Sequence, residues 1–153
     1  MTVRPLQPTD RPGWDPLWRG YLDFYRASVP DDVTDALWHT VCEPAGAISG
    51  LAAVLDGELV GFVHYLFHPS TWSRHGYCYL EDLFTAPQAR NRGVGGALIG
   101  AVVAAARSAG MDKVYWQTQE SNAVAQALYD RVARRPGFVI YEIDTTGHGP
   151  SGP

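Results

Sequence analysis

The sequence contains few of the residues that mark zinc-binding, disulfide-rich or membrane-spanning proteins. Its 153 residues include two cysteines, Cys42 and Cys78, with neither a CxxC spacing nor a His–Cys ligand pattern nearby. We therefore expect no structural zinc and no other bound metal. The alanine- and glycine-rich run Gly93–Ala106 has 14 residues without a charged side chain, which is too short to cross a bilayer as a helix. No basic and apolar signal opens the chain, so we expect a cytoplasmic protein with no membrane partner.

Basic residues are also in the minority, and only one of them, Lys113, is a lysine. The formal net charge is -4, which argues against a nucleic-acid partner because affinity for phosphates depends on cationic side chains. Residues 1–60 carry nine acidic and four basic side chains. This imbalance suits a cationic small molecule, although on charge alone a scatter of solvated surface residues is the more common explanation.

The length predicts a single domain, residues 1–144, followed by a flexible tail, 145–153, that is rich in glycine and proline. Asp56-Gly57 between two apolar runs predicts a tight hairpin. The order of predicted elements is typical of an α/β fold (an α+β mixed sheet): an antiparallel meander, then parallel strands, with helices on both faces. The predicted elements are strand 2–7, helix 10–27, a second helix from Thr34, strands 51–55, 58–67 and 77–84, helix 93–109, strand 114–118, helix 122–133 and strand 138–143.

The segment Arg90-Asn91-Arg92-Gly93-Val94-Gly95-Gly96 is typical of an anion-binding loop. Glycines let the backbone approach a ligand, and the unpaired N–H groups of a first helical turn favour a phosphate or pyrophosphate. A P-loop would need Gly-Lys-Ser/Thr, but Ala97 and Leu98 follow Gly96. A dinucleotide fingerprint would need glycine at position 98, so that interpretation is weak.

Arg90, Gly93 and Gly95 satisfy the pattern Q/R-x-x-G-x-G/A. With a strand before this loop and Asn122 to Tyr129 after it, residues 2–143 resemble the GNAT superfamily of N-acetyltransferases. The run Leu80-Glu81-Asp82-Leu83-Phe84 further resembles the branch of polyamine, thialysine and small histone/polyamine acetyltransferases. The resemblance implies the GNAT fold, with an N-terminal helical pair and central parallel strands that splay apart.

The resemblance also implies acetyl-CoA as the co-substrate, in a cleft between the strands 77–84 and 114–118. Its pyrophosphate would lie on the glycine loop, and its pantetheine amides would pair with the open strand edge near Leu83, where a backbone N–H can polarise the thioester carbonyl. The cofactor-binding residues expected on this basis are Leu83, Phe84, Arg90, Arg92, Gly93, Val94, Gly95, Gly96, Ala97 and Asn122.

Two residues are expected to be catalytic, Tyr129 and Glu81. Asn122 and Tyr129 are seven residues apart, so on one helix they point the same way. In the family the tyrosine protonates the departing thiolate, whereas helix position alone would favour a core tyrosine. The family resemblance gives Glu81 the role of taking a proton from the ammonium, with a solvated edge carboxylate as the alternative. Asp82 is adjacent and should face the opposite way on a regular strand.

The remaining expected substrate-binding residues are Asp82, Tyr25, Asp31, Trp116 and Glu120. Aromatic walls with carboxylates suit a cationic amine, but core packing explains tyrosines in the helical pair equally well. Trp14, Trp18 and Trp38 are expected in the core. His64, His68 and His75 are expected to be structural or surface residues around a strand-end loop.

The predicted function is transfer of an acetyl group to a primary amine by direct attack in a ternary complex, with a small cationic amine favoured as acceptor. Two alternatives stay open: a protein lysine or N-terminus as acceptor, and a non-catalytic acyl-CoA-binding module. The resemblance also implies a homodimer, paired through the apolar C-terminal strand 138–143, whose exposed edge would otherwise favour aggregation.

Overall fold

The computed structural model describes residues 1–145. Within that range, no helix is both long and apolar enough to cross a membrane. Two short 3-10 turns, Pro8–Asp10 and Pro87–Ala89, precede helices. The helices are α1 (Arg11–Tyr25), α2 (Asp31–Cys42), α3 (Val94–Ser108) and α4 (Ala123–Val132), and the strands are β1 (Thr2–Pro5), β2 (Ser49–Leu55), β3 (Glu58–Ser70), β4 (Ser73–Thr85) and β5 (Val114–Tyr115).

The five strands form one mixed sheet in the order β1-β2-β3-β4-β5. The first four strands pair antiparallel, and β4 pairs parallel with β5. Asp56 and Gly57 have φ values of 54° and 85°, the left-handed pair that a tight two-residue hairpin needs. The predicted meander and the α/β mixed sheet are therefore confirmed.

Helices cover both faces of this sheet, as predicted. On one face the indoles of α1 pack against β3: the ring centres of Trp14 and Phe62 are 6.0 Å apart. On the other face α3 lies close to β3, since a Cβ on Gly61 would stand 3.0 Å from Val94. Trp14, Trp18 and Trp38 are all buried, which confirms that they belong to the core.

The second helix begins at Asp31, so its predicted start near Thr34 is wrong. Pro30 precedes the first turn in an extended conformation, and Asp31 and Asp32 occupy that turn. Acidic side chains there are favoured by the positive end of the helix dipole. The Thr34 hydroxyl, expected as a cap, instead accepts a hydrogen bond from Trp18 Nε1 at 3.3 Å.

The last two predicted strands also differ from the structure. Only Val114 and Tyr115 of the predicted strand 114–118 pair with β4. Residues 138–143 form no strand, and Tyr141 and Ile143 are 91% and 88% exposed. Apolar and β-branched residues favour a strand only where a neighbouring strand supplies hydrogen bonds. The predicted tail, beyond Thr145, lies outside the described residues.

Asp10 joins β1 to the start of α1. Its carboxylate accepts two hydrogen bonds from the Arg4 guanidinium, at 2.6 and 2.8 Å, and one from the Gln7 backbone N–H. The hydrogen bond from Arg4 is the main reason that the pKa of Asp10 lies below its ordinary value, with burial acting in the opposite direction.

We predict that Asp10→Asn lowers the free energy of unfolding at pH 7 by roughly 1–2 kcal/mol, because a charged hydrogen bond becomes a neutral one. The stability from a lowered carboxyl pKa is complete above the unfolded-state pKa, about 3.9, and is lost as pH falls through the folded-state pKa. Chemical unfolding should therefore show a gap between the two proteins that closes below that range. Asp35→Asn, in an exposed ion pair with Arg11, is the control. Equal losses in both variants, or a gap that persists in acid, would contradict this role for Asp10.

Candidate active site

A β-bulge interrupts β4 at Glu81. On one side of it His64 pairs with Asp82, and on the other Tyr65 pairs with Leu80, so Glu81 is the extra residue that no β3 residue faces. A bulge bends its strand and re-aims the side chains beside it. The expectation that Glu81 and Asp82 face opposite ways assumed a regular strand, and strict alternation does not hold at a bulge.

The pairing of β4 with β5 ends just before this bulge. The ladder contains only Cys78 with Val114 and Tyr79 with Tyr115. From Leu80 to Thr85, no strand within the described residues pairs with β4 on the side away from β3. Leu83 and the backbone of Phe84 lie along this open edge, while the Phe84 side chain is buried near Tyr21. The splayed central strands are thus present.

The N-terminus of α3 adjoins this opening. Gly93 precedes the helix with φ 80°, and the first backbone bond of the helix runs from the Ala97 N–H to the Gly93 carbonyl, at 3.0 Å. The preceding N–H groups of Val94, Gly95 and Gly96 have no acceptor within the helix, as in any first turn. This arrangement fits a phosphate group. Ala97 differs from the other predicted loop residues, because its N–H already donates to the Gly93 carbonyl and is not free to bind a phosphate.

Glycine is required at two positions of this loop for different reasons. The φ of Gly93 lies in the left-handed region, which other residues rarely adopt. A Cβ on Gly95 would stand 3.0 Å from the Leu128 side chain, so this glycine lets α4 pack closely on α3. Arg90 and Arg92 are exposed. The nearest carboxylate to Arg92 is that of Asp56, at 3.9 Å, and such an exposed pair leaves the guanidinium available to an anion.

Asn122 caps α4 and does not lie within it. Its Oδ1 accepts a hydrogen bond from the Ala125 N–H at 3.3 Å, and its Nδ2 donates to Thr118 Oγ1 at 3.3 Å. The argument from helical spacing therefore does not extend to Asn122. Both ends of its amide hold the loop between β5 and α4, which positions the helix that carries Tyr129.

Aromatic side chains from three parts of the chain form one wall of the cleft. Tyr21 and Tyr25 of α1 have ring centres 4.9 Å apart, and Trp116, just after β5, packs edge-on against Tyr129 of α4 at 5.3 Å. Tyr25 also lies close enough to Tyr129 to influence its ionisation. The structure thus brings together three predicted residues, Tyr25, Trp116 and Tyr129, and adds Tyr21.

The Tyr129 hydroxyl sits in a mainly apolar environment. Burial, with a smaller contribution from Tyr25, raises the pKa of Tyr129 to about 12. At neutral pH the phenol is therefore protonated. Such a group can donate a proton to a strongly basic centre that forms beside it, such as a thiolate.

The two carboxylates of β4 lie at the Tyr21 end of the aromatic wall. Burial, a hydrogen bond with Asp82 and the charge of Glu81 all act to raise the pKa of Tyr21. Glu81 itself has a raised pKa, mainly through burial and additionally through the charge of Asp82. Both carboxylates, Glu81 and Asp82, therefore influence the ionisation of Tyr21. A carboxylate with a raised pKa is a stronger base, which suits it to proton transfer.

Two further residues, Asp31 and Glu120, were predicted to bind substrate. Asp31 lines a separate cavity of about 330 Å³ between α1 and α2, together with Arg11 and Asp35. Glu120 is exposed in the loop before α4, where its backbone carbonyl accepts a hydrogen bond from Gln126. The residues described include no group of three His, Cys, Asp or Glu side chains that could hold a metal ion.

One residue beside the carboxylates was not predicted there. His64 was expected near a strand-end loop, but it lies within β3, is fully buried, and has Nδ1 2.8 Å from Asp82 Oδ2. The expected antiparallel meander pairs β3 with the strand that carries Asp82, but the sequence does not reveal which residues face each other across a bulge.

Comparisons with known proteins agree with this geometry. Residues 14–133 match the Acetyltransferase (GNAT) family. The chain is 33% identical over 144 residues to the D-amino-acid N-acetyltransferase HPA3 of Saccharomyces cerevisiae. The matched region covers 93% of this chain and 89% of the relative. It is also 33% identical over 103 residues to the thialysine N-epsilon-acetyltransferase of Caenorhabditis elegans. This matched region covers 64% of each chain.

A solved structure shares the fold. It is an aminoglycoside N-acetyltransferase in complex with CoA, with a TM-score of 0.80, 22% sequence identity and coverage of 94% of each chain. The fold of this chain thus has a counterpart among solved acetyltransferases. The chain belongs to the GNAT family, and it is an N-acetyltransferase.

Proposed function

We propose that the protein transfers the acetyl group of acetyl-CoA to the primary amine of a small cationic acceptor, by direct attack in a ternary complex. The observation that supports this most is a convergence within one cleft. The carboxylates of β4, the aromatic wall and the protonated Tyr129 all adjoin the open strand edge. Relatives named for D-amino acids and thialysine act on small amines, which agrees with this acceptor class.

The residues available for acetyl-CoA fit its chemistry. The free N–H groups of Val94, Gly95 and Gly96, with Arg90 and Arg92 beside them, suit a pyrophosphate. The open edge of β4 at Leu83 offers backbone groups to the pantetheine amides. A backbone N–H there would polarise the thioester carbonyl, an effect worth roughly 2.7–4 kcal/mol for each donor.

The acceptor nitrogen loses two protons during the proposed reaction. An alkylamine is mostly ammonium near pH 7, so Glu81 first accepts one proton, directly or through water, and frees the nitrogen lone pair. Acetyl-CoA supplies an activated carbonyl; the C–N bond forms at that carbon and the C–S bond breaks. Tyr129 donates its proton to the departing sulfur, which makes the thiol a better leaving group, and the second nitrogen proton restores the Tyr129 phenol, directly or through water.

The cleft itself favours a cationic acceptor. Asp82 and Glu81 provide negative charge, and Tyr21, Tyr25 and Trp116 offer aromatic faces that attract cations. A protein lysine or N-terminus remains the second candidate acceptor. The presence of both Glu81 and Tyr129 argues against a non-catalytic acyl-CoA-binding module, which would need only the phosphate loop.

Thiol release from acetyl-CoA tests the function across spermidine, spermine, diamines, lysine, D-amino acids, aminoglycosides and a histone-tail peptide. We expect release with one of the small amines. Tyr129→Phe should lower turnover with that amine roughly 10²-fold or more, with little change in the KM for acetyl-CoA, because proton donation matters only in the transition state. Tyr65→Phe, at a buried tyrosine of β3, is the matched control. Release only with the peptide would favour a protein acceptor, and unchanged turnover would remove Tyr129 from the mechanism.

The proposed base also predicts a pH dependence. Because Glu81 acts when deprotonated and its pKa is raised, kcat/KM should fall with decreasing pH in a range above the ordinary value of about 4.3. Glu81→Gln should lose roughly 10²–10⁴-fold at neutral pH, and this acidic limb should disappear. Glu58→Gln, exposed at the β2–β3 hairpin, should keep the wild-type profile. An acidic limb that survives in Glu81→Gln would assign the titration to another group.

We also propose that the protein is a homodimer. Residues 138–143 expose Phe138, Val139, Ile140, Tyr141 and Ile143, each by 64% or more, and a contiguous apolar segment of this kind favours association. The outer edge of β5 is unpaired within the described residues. A second copy of the chain that packs against residues 138–143 and the outer edge of β5 would cover both the exposed apolar side chains and the unpaired strand edge.

Light scattering should therefore give twice the mass of one chain. Val139→Lys combined with Tyr141→Lys should shift the protein towards the monomer, because charged side chains oppose burial of this segment. Arg134→Lys, which retains its charge outside the apolar run, is the control. A wild-type monomer at micromolar concentration would refute the dimer.

A further inference from the structure

A buried polar chain connects the core to the acceptor cleft. Trp14 Nε1 donates to His64 Nε2 at 3.3 Å, and His64 Nδ1 lies 2.8 Å from Asp82 Oδ2. Trp14 and His64 are both 0% exposed. Such a chain inside an apolar core is stable only when each of its polar atoms is paired.

The hydrogen bonds determine which nitrogen of His64 carries the proton. An indole N–H is a donor and never an acceptor. Nε2 must therefore accept, so the proton of the neutral ring lies on Nδ1 and is donated to Asp82. Rings surround the imidazole, with Phe62 at 4.7 Å and Trp18 at 5.8 Å between centres, which restricts rotation of the ring.

The Asp82 carboxylate thus accepts a hydrogen bond from the buried His64 ring, whose orientation is restricted. The hydrogen bond uses Oδ2, and the side chain of Asp82 remains 13% exposed. Tyr21, Glu81 and Tyr79 also interact electrostatically with this carboxylate, and the first two belong to the proposed acceptor site. The buried chain consequently ends at the group that would meet a cationic amine.

We propose that His64 is a positioning residue for the acceptor amine: its Nδ1–H, set by Trp14, holds the Asp82 carboxylate in the orientation that binds the acceptor's positive charge. Asp82 binds the cation, and Glu81 accepts the proton. This division of roles rests on the proposed function. In this scheme His64 acts in substrate binding only indirectly, because it contacts neither the amine nor acetyl-CoA.

Two substitutions of His64 separate its two hydrogen bonds. The amide nitrogen of His64→Asn can reach the position of Nδ1 and still donate to Asp82. The amide of His64→Gln reaches the position of Nε2, where it can accept from Trp14 but offers no donor to Asp82. Both remove the ring, so any loss from packing is shared between them.

With spermidine and lysine as probes, His64→Gln should raise the amine KM roughly ten-fold or more, because the carboxylate loses a charge-assisted hydrogen bond. His64→Asn should stay within about three-fold of wild type. The KM for acetyl-CoA should be unchanged in both. An equal rise in the amine KM in the two variants, or a fall in Tm with no change in the amine KM, would overturn the positioning role.

A measurement on the wild type keeps the inference testable if either variant fails to fold. The ring ¹⁵N resonances of His64 should show a proton on Nδ1 and none on Nε2, and the Nδ1 resonance should move as spermidine or lysine is added. A proton on Nε2, or no movement at saturating amine, would overturn the proposal. Absence of transfer by the wild type with every amine would contradict the proposed function instead, while the ring resonances still report the contact with Asp82.

Discussion

The bulge at Glu81 is the constraint on which the candidate site depends. An interior strand that pairs on both sides along its full length leaves no backbone groups for a ligand. Here β4 pairs with β5 only at Cys78 and Tyr79. The extra residue of the bulge, Glu81, comes directly after Leu80. One irregularity therefore accompanies both features that the chemistry needs, an open strand edge and two carboxylates that share one environment.

The elements around the bulge supply the other groups. The loop before α3 brings free N–H groups to one end of the opening, and α1 and α4 bring tyrosines to the other. Asn122 and Gly95 take part indirectly, the first by capping α4 and the second by letting Leu128 pack on α3. Site and core are continuous, since Phe84 lies at the open edge and also packs near Tyr21. We expect destabilising changes in this part of the core to affect activity as well.

Local sequence signals predicted the features that depend on a few adjacent residues. Asp56-Gly57 indicated the hairpin because positive φ favours those residues, and the glycines at 93–96 indicated an anion site at a helix start. The branch resemblance at Leu80–Phe84 drew attention to Glu81. Features that depend on distant residues were missed. Nothing in Leu80-Glu81-Asp82 marks a bulge, because a bulge is defined by the register with β3. His64 became significant only when β3 placed it opposite Asp82. The apolar residues 138–143 have strand composition but find no partner strand among residues 1–145.

A crystal structure of the protein with CoA and spermidine would test the central claim most directly. We predict the pyrophosphate within hydrogen-bond distance of the N–H groups of Val94, Gly95 and Gly96, and the sulfur beside the Tyr129 hydroxyl. The amine should lie against Glu81 and Asp82. A pantetheine arm that does not follow the open edge of β4, or an amine bound away from both carboxylates, would contradict the account.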